Sequence, residues 1–287
     1  MSAGDKFYNL GLIGYPLGHS RSPQLHHAAL QEAGFAGEYR LYAIPPDEDG
    51  RRQIAALVDD LRAGKLDGLN VTIPHKGTVM PFVDHLSPVA RAVGAINTLV
   101  RDDAGQIFGD NTDVPGFLHD LERLVGGEHS GTALILGAGG SARAAAFALA
   151  RAGWQVRVLA RRAEQAAALV AELGKAEGLF GRLVCGDLRD LPELAAQPCG
   201  LVVNTTPLGM HPNPNGCPWP DDVPLPRFAA VYDMIYNPVE TVLLRKARAA
   251  GLAARNGAGM LAAQAALAFH QWTGIEPPFE TMENALL

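Results

Sequence analysis

Apolar positions along this chain fall into short runs of two kinds, and the two kinds take turns. Tyr8 to Ile13, Glu38 to Ile44 and Leu66 to Val71 read as strands, whereas Pro23 to Ala33 and Arg51 to Ala63 repeat their apolar positions at helical spacing. Such alternation predicts parallel strands joined by crossover helices. Thr98 to Arg101 and Gln106 to Phe108 flank Asp-Ala-Gly and read as a hairpin at the edge of this first sheet. A second series follows. A helix from Asn111 carries Phe117, Leu118, Leu121 and Leu124, and Gly126-Gly127 leads into a strand at Ala133 to Leu136. Next come a helix at Ala142 to Ala152, a strand at Gln155 to Leu159 and a helix at Ala163 to Leu173. Apolar strands near Leu183, at Leu201 to Val203 and at Ala230 to Met234 complete a doubly wound pattern. Pro207 to Pro226 holds seven prolines and two glycines and is expected to be a long loop, either a mobile flap or packed on the surface. The helices Thr241 to Ala250 and Met260 to Trp272 are apolar on most faces and need a surface to cover.

At 287 residues the chain has room for two domains. Its 48% hydrophobic and 19% charged residues are those of a globular protein, and no apolar run approaches the roughly 20 residues of a membrane span. The first thirty residues lack the basic start and continuous apolar core of a secretion signal, so cytoplasmic residence is expected. A net charge of −6, with no cation cluster beyond Arg161-Arg162, argues against a nucleic-acid partner. The three cysteines have no CxxC spacing and the histidines no HExxH pattern, so neither a disulfide framework nor a metal site is expected.

Gly137-Ala138-Gly139-Gly140-Ser141-Ala142 stands between a strand and a helix. There the first glycine permits a tight turn, the second lets backbone approach a pyrophosphate, and a helix N-terminus favours the anion. An NAD site usually carries an acid at the end of the next strand, but this chain has Arg161-Arg162, whose guanidiniums suit a 2′-phosphate. NADP is therefore expected over NAD. Asn70-Val71-Thr72-Ile73-Pro74-His75-Lys76 and Gly109-Asp110-Asn111-Thr112-Asp113 place a lysine and an aspartate among hydrogen-bonding side chains, as proton transfer on a polyhydroxylated substrate requires. Ser20 and Ser22 sit at a helix entry, where hydroxyls serve as caps or hold a carboxylate; Asp113 likewise combines a capping position with a catalytic one.

Six ordered motifs resemble those of the shikimate dehydrogenase family over nearly the whole chain. They are His19-Ser20-Arg21-Ser22-Pro23, the Asn70 to Lys76 stretch, Gly94 to Thr98, Asp110 to Asp113, Asp233 to Pro238 and Asn256 to Gln264. The resemblance implies NADPH-dependent, reversible reduction of 3-dehydroshikimate to shikimate in chorismate biosynthesis, by a monomer or homodimer with no membrane or nucleic-acid partner. It implies that Ser20, Ser22 and Tyr236 hold the substrate carboxylate and that Asn70, Thr72, Asn97, Asp113 and Gln264 hold its hydroxyls. Lys76 is implied as the catalytic acid/base, paired with Asp113. Gly137, Ala138, Gly139, Gly140 and Ser141 would take the pyrophosphate, Arg161 and Arg162 the adenosine phosphate, and Thr205, Met234 and Gly257 the rest of the cofactor. The implied fold is α/β: a substrate-binding domain of residues 1–112 and 248–287, to which the terminal helices return, and a Rossmann-type doubly wound NADP-binding domain of residues 113–247.

The chain departs from the family pattern at Ala160, where Asn is usual, at Arg162, where Thr is usual, at Gln165, often basic, and at His27, usually Asn. The first three blur the expected cofactor selectivity. Quinate/shikimate dehydrogenases of relaxed cofactor use are the nearest alternative, but they tend to carry threonine where this chain has Ser22. A non-catalytic shikimate sensor is disfavoured by the presence of both Lys76 and Asp113, and a folate-interconverting dehydrogenase leaves the serine pair unexplained.

Overall fold

The computed structural model describes residues 6–127, 131–276 and 279–286. The chain divides into two compact units, Met1–Asp113 with Ala262–Leu287, and Val114–Leu261.

The first unit opens with β1 (Phe7–Gly14), α1 (Ser22–Glu32), β2 (Ala36–Ala43), α2 (Glu48–Arg62) and β3 (Gly68–Val71). It continues through β4 (His85–Leu86), α3 (Pro88–Val93), β5 (Thr98–Arg101) and β6 (Ile107–Asp110). The sheet order is β2-β1-β3-β5-β6-β4. β1 pairs in parallel with both β2 and β3, while β3–β5 and β5–β6 are antiparallel. The expected hairpin is therefore present, but the edge beyond it is β4, a two-residue strand parallel to β6. α2 is started by Asp47, whose carboxylate accepts the Gly50 N–H at 2.7 Å, and Glu48 and Asp49 favour the positive end of its dipole. The apolar stripe Ile54, Val58 and Leu61 then closes over Ile13, Leu69, Val71 and Leu99 of the sheet.

The second unit begins within α4 (Asp113–Val125) and contains β7 (Thr132–Leu136), α5 (Gly140–Arg151), β8 (Gln155–Ala160), α6 (Ala163–Leu173) and β9 (Leu183–Asp187). It goes on through α7 (Leu191–Ala195), β10 (Leu201–Asn204), β11 (Ala230–Asp233), α8 (Val242–Ala249) and β12 (Ala254–Asn256). All pairings are parallel in the order β12-β11-β10-β7-β8-β9. The chain moves outward from β7 on one side and then returns to β10 to move outward on the other. The switch point lies between β7 and β10, where doubly wound sheets take their ligands. Buried Asp120 of α4 accepts from the Tyr232 hydroxyl and the Arg255 Nε, both at 2.6 Å, which ties that helix to β11 and β12.

Residues 248–261, expected with the first unit, belong to the second. The reason is β12, whose pairing with β11 extends the second sheet by a strand. The proline-rich loop is packed rather than left open, since Trp219 is buried with Val223 in the core of the second unit and its Nε1 donates to the Val223 carbonyl at 2.8 Å. α9 (Ala258–Thr273) passes into the first unit at Ala262, and α10 (Phe279–Asn284) follows. On the first sheet the Trp272 Nε1 donates to the Leu99 carbonyl at 3.0 Å, and its ring fills the space above Gly68. No helix among the described residues is long and apolar enough to cross a membrane.

Candidate functional site

In the first unit the polar side chains gather at the ends of β3, β5 and β6. Lys76 follows β3 in a turn held by three contacts. The His75 N–H donates to the Thr72 carbonyl at 2.9 Å, the Ile96 N–H donates to the Lys76 carbonyl at 2.8 Å, and the buried His75 ring bonds the Ile44 carbonyl at 2.7 Å. Asp113 is the first residue of α4. Lys76 Nζ and Asp113 Oδ2 form an ion pair, with the two side chains only 14% and 8% exposed. Water is largely excluded from both, which strengthens their attraction relative to a surface pair.

Asn97 is the hub. Its Nδ2 lies within hydrogen-bond reach of Thr112 Oγ1 at 2.9 Å, Asp113 Oδ1 at 3.0 Å and Gln264 Oε1 at 3.3 Å. Its Oδ1 accepts the Thr112 N–H at 2.7 Å. Asn70, on β3, donates to the Asn97 carbonyl at 3.1 Å and accepts from the Tyr39 hydroxyl at 2.8 Å. Burial raises the Tyr39 phenol above its ordinary range, so it remains a donor. Thr72 approaches Gly14 so closely that a Cβ there would overlap its methyl group. At the start of α1, Ser22 is buried and its N–H reaches Ser20 Oγ at 3.3 Å. The Ser20 hydroxyl thus accepts a bond at the helix entry, although the N-cap residue of α1, Arg21, makes no side-chain cap.

The structure brings Lys76, Asp113, Asn97, Asn70 and Gln264 into one linked set. Tyr236 belongs to the second unit, with Met234 and Gly257. A Cβ at Gly257 would overlap the Met234 carbonyl, so only glycine lets these two segments lie together. Tyr39, His75 and Thr112 were not singled out from the sequence. His75 and Thr112 do lie inside quoted motifs, but Tyr39 has no local signal, because its partner Asn70 is distant in the chain.

In the second unit Gly137 adopts φ +112° at the end of β7, a conformation that other residues rarely reach, and a Cβ on it would stand 2.6 Å from Thr205 Oγ1. Gly139 precedes α5 with no side chain capping it, which leaves the amides of its first turn toward the open end. Arg161 and Arg162 follow β8 and are exposed. A glycine cradle, a bare helix N-terminus and two guanidiniums are a donor set suited to a phosphorylated dinucleotide. Among the described residues no group of three or more His, Cys, Asp or Glu is placed to hold a metal ion.

A relative from Symbiobacterium thermophilum, a shikimate dehydrogenase (NADP(+)), is 40% identical over 97% of this chain and 93% of its own length. The chain belongs to the shikimate dehydrogenase family. Residues 12–99 match the shikimate dehydrogenase substrate binding domain, and residues 257–287 match the shikimate 5′-dehydrogenase C-terminal domain. Those two stretches carry Ser20, Ser22, Asn70, Thr72, Lys76, Asn97 and Gln264. Among solved structures, a Thermus thermophilus shikimate dehydrogenase in complex with NADP(H) and shikimate superposes with a TM-score of 0.84 at 37% identity, covering 97% of this chain and 98% of that one. A Corynebacterium glutamicum quinate dehydrogenase in complex with NAD gives 0.88 at 34% identity, covering 98% and 99%.

Proposed function

We propose that this chain is an NADP-dependent shikimate dehydrogenase that reversibly reduces 3-dehydroshikimate to shikimate. The observation that carries the reading is the shielded Lys76–Asp113 pair within the Asn97 hydrogen-bond set. In the reducing direction a bound NADPH would supply the hydride that the carbonyl carbon of the substrate accepts. Negative charge then develops on the carbonyl oxygen. The Lys76 ammonium donates a hydrogen bond to that oxygen and gives up its proton, while Asp113 holds the amine in place and draws on the same substrate edge. Such proton transfer typically contributes about 10² to 10⁴ in rate. Asn70, Thr72, Asn97 and Gln264 orient the ring hydroxyls, and Ser20, Ser22 and Tyr236 take the carboxylate.

Gly137, Ala138, Gly139, Gly140 and Ser141 hold the pyrophosphate, Arg161 and Arg162 the 2′-phosphate, and Thr205, Met234 and Gly257 the remainder of the cofactor. The free cysteines Cys185, Cys199 and Cys217 suit a reducing cytoplasm, and the oligomer is a monomer or homodimer. Absorbance of reduced nicotinamide, with shikimate or quinate each offered with NADP⁺ or NAD⁺, tests the reading. Reduction of NADP⁺ by shikimate is expected. Preference for quinate with NAD⁺ would move the chain to the quinate dehydrogenases, and silence in all four would refute an enzyme of this class.

A further inference from the structure

Beside the switch point of the second sheet, two adjacent strands end in buried polar side chains that bond to one another. Asn204 ends β10 and Asp233 ends β11, they are partners in the strand register, and both are fully buried. Asn204 Nδ2 donates to Asp233 Oδ1 at 2.9 Å. Asn204 Oδ1 accepts the N–H and hydroxyl of Thr206 at 2.9 and 2.8 Å, which folds back the turn that begins with Thr205. Thr205 in turn donates its hydroxyl to the Leu136 carbonyl at 2.7 Å, directly against the Gly137 turn. On the other side, Asp233 Oδ1 accepts the Ile235 N–H at 3.1 Å, which fixes the peptide after Met234. Its Oδ2 accepts the Thr241 hydroxyl at 2.6 Å, and Thr241 caps α8 through the Leu244 N–H at 3.3 Å.

Stability does not explain an acid at this position. Among the described residues every donor to Asp233 is neutral, and burial pushes its carboxyl up to about 6. A buried carboxylate without a cation is costly, and apolar residues of similar volume commonly serve a core better. What the acid provides is three acceptor bonds in fixed directions, joining the turns after β10 and β11 to the first turn of α8.

We infer that Asn204 and Asp233 are positioning residues for the dinucleotide, holding the Thr205–Leu208 and Met234–Ile235 turns in the shape that receives its nicotinamide end without touching it. The inference rests on the assignment of Thr205 and Met234 to the cofactor. It is tested by the NADPH dissociation constant, read from the fluorescence of the reduced nicotinamide, alongside thermal melting of each variant. Asp233→Ala and Asn204→Ala are expected to weaken NADPH binding about tenfold or more, which corresponds to about 1.4 kcal/mol. Affinity for shikimate, measured on Asn204→Ala without cofactor, is expected to stay within about twofold.

Asp233→Asn retains the acceptor for Asn204 and Ile235 and can donate to Thr241, so it should recover most of the lost affinity. Should the alanine variants fail to fold, Thr206→Val and Thr241→Val each remove one hydroxyl of the network, with the bond it donates to Asn204 or Asp233 and the bond it accepts from the Leu208 or Leu244 N–H. Each of these is expected to weaken NADPH about threefold or more. NADPH affinity within twofold of wild type in the folded variants, whatever their melting temperature, overturns the inference. The two readings fail separately. Wild-type protein that binds NADPH but does not turn over shikimate refutes the catalytic reading and leaves this one open to the same measurement.

Discussion

Asn97 donates its side-chain amide to one oxygen of Asp113 at 3.0 Å, while the other oxygen of that carboxylate pairs with Lys76. The aspartate is thereby fixed by a neutral donor and a cation at once, and the lysine is presented on a carboxylate that has little freedom to rotate. In the proposed reaction an ammonium held this way would be pre-oriented for the oxygen on which negative charge develops.

Lys76→Ala is expected to lower the turnover of shikimate by about 10² to 10⁴ with a much smaller change in KM. Steady-state kinetics with saturating NADP⁺ measure both. Turnover within tenfold of wild type would remove Lys76 from the proton transfer.

Arg161 and Arg162 are exposed and stand where β8 ends. Replacing both with alanine should raise KM for NADP⁺ about tenfold or more through loss of charge-assisted bonds to the 2′-phosphate, and leave KM for NAD⁺ nearly unchanged. An equal rise for both cofactors would place the arginines outside phosphate selection.

His26 and Asp233 give stability opposite dependences on pH. His26 is fully buried against Tyr39, with ring centroids 4.3 Å apart, and burial lowers its pKa from 6.5 to about 3. The unfolded chain then binds a proton that the folded chain refuses, so stability present above pH 6.5 is lost as pH falls toward 3, by about 1.4 kcal/mol per unit. Burial raises Asp233 from 3.8 to about 6, so its cost to the folded state is relieved as pH falls between those values. Denaturant unfolding from pH 7 to 4 should show a shallower acid loss in His26→Leu and a steeper one in Asp233→Asn. Slopes identical to wild type in both variants would contradict the assignment.

Gly68→Ala should destabilise the first unit by about 1 to 3 kcal/mol, because the new methyl group would overlap the Trp272 ring. A fall in the denaturant midpoint at unchanged slope checks this, and an unchanged midpoint would mean that the indole moves aside freely.

Much of this architecture was legible because burial imposes a period on the sequence. α6 spans Ala163–Leu173 as read from its apolar spacing, and β1, β2, β7 and β8 lie within two residues of their expected ends. The elements that escaped are short or borrowed. β4 is two residues long, below any period, and β12 is Ala-Arg-Asn, a strand only because β11 offers it an edge. That borrowing also explains why residues 248–261 were expected in the wrong unit. Lys76 and Asp113 could be found because their neighbours form specific strings. Tyr39 and the bond between Asn204 and Asp233 could not, although Asp233 opens a quoted motif, since each contact is made to a residue on another strand.

The proline-rich loop has a different lesson, about variation. Its hold on the second unit includes buried Trp219 and Val223, with Cys217 and Leu225 packed against the same core, while His211, Pro212, Asn213 and Asn215 face solvent ahead of that anchor. Doubling a loop's length adds only about 0.6 kcal/mol to its closure entropy. Insertions and deletions in descendants of this chain should therefore gather among these exposed residues, between the turn that follows β10 and the buried indole.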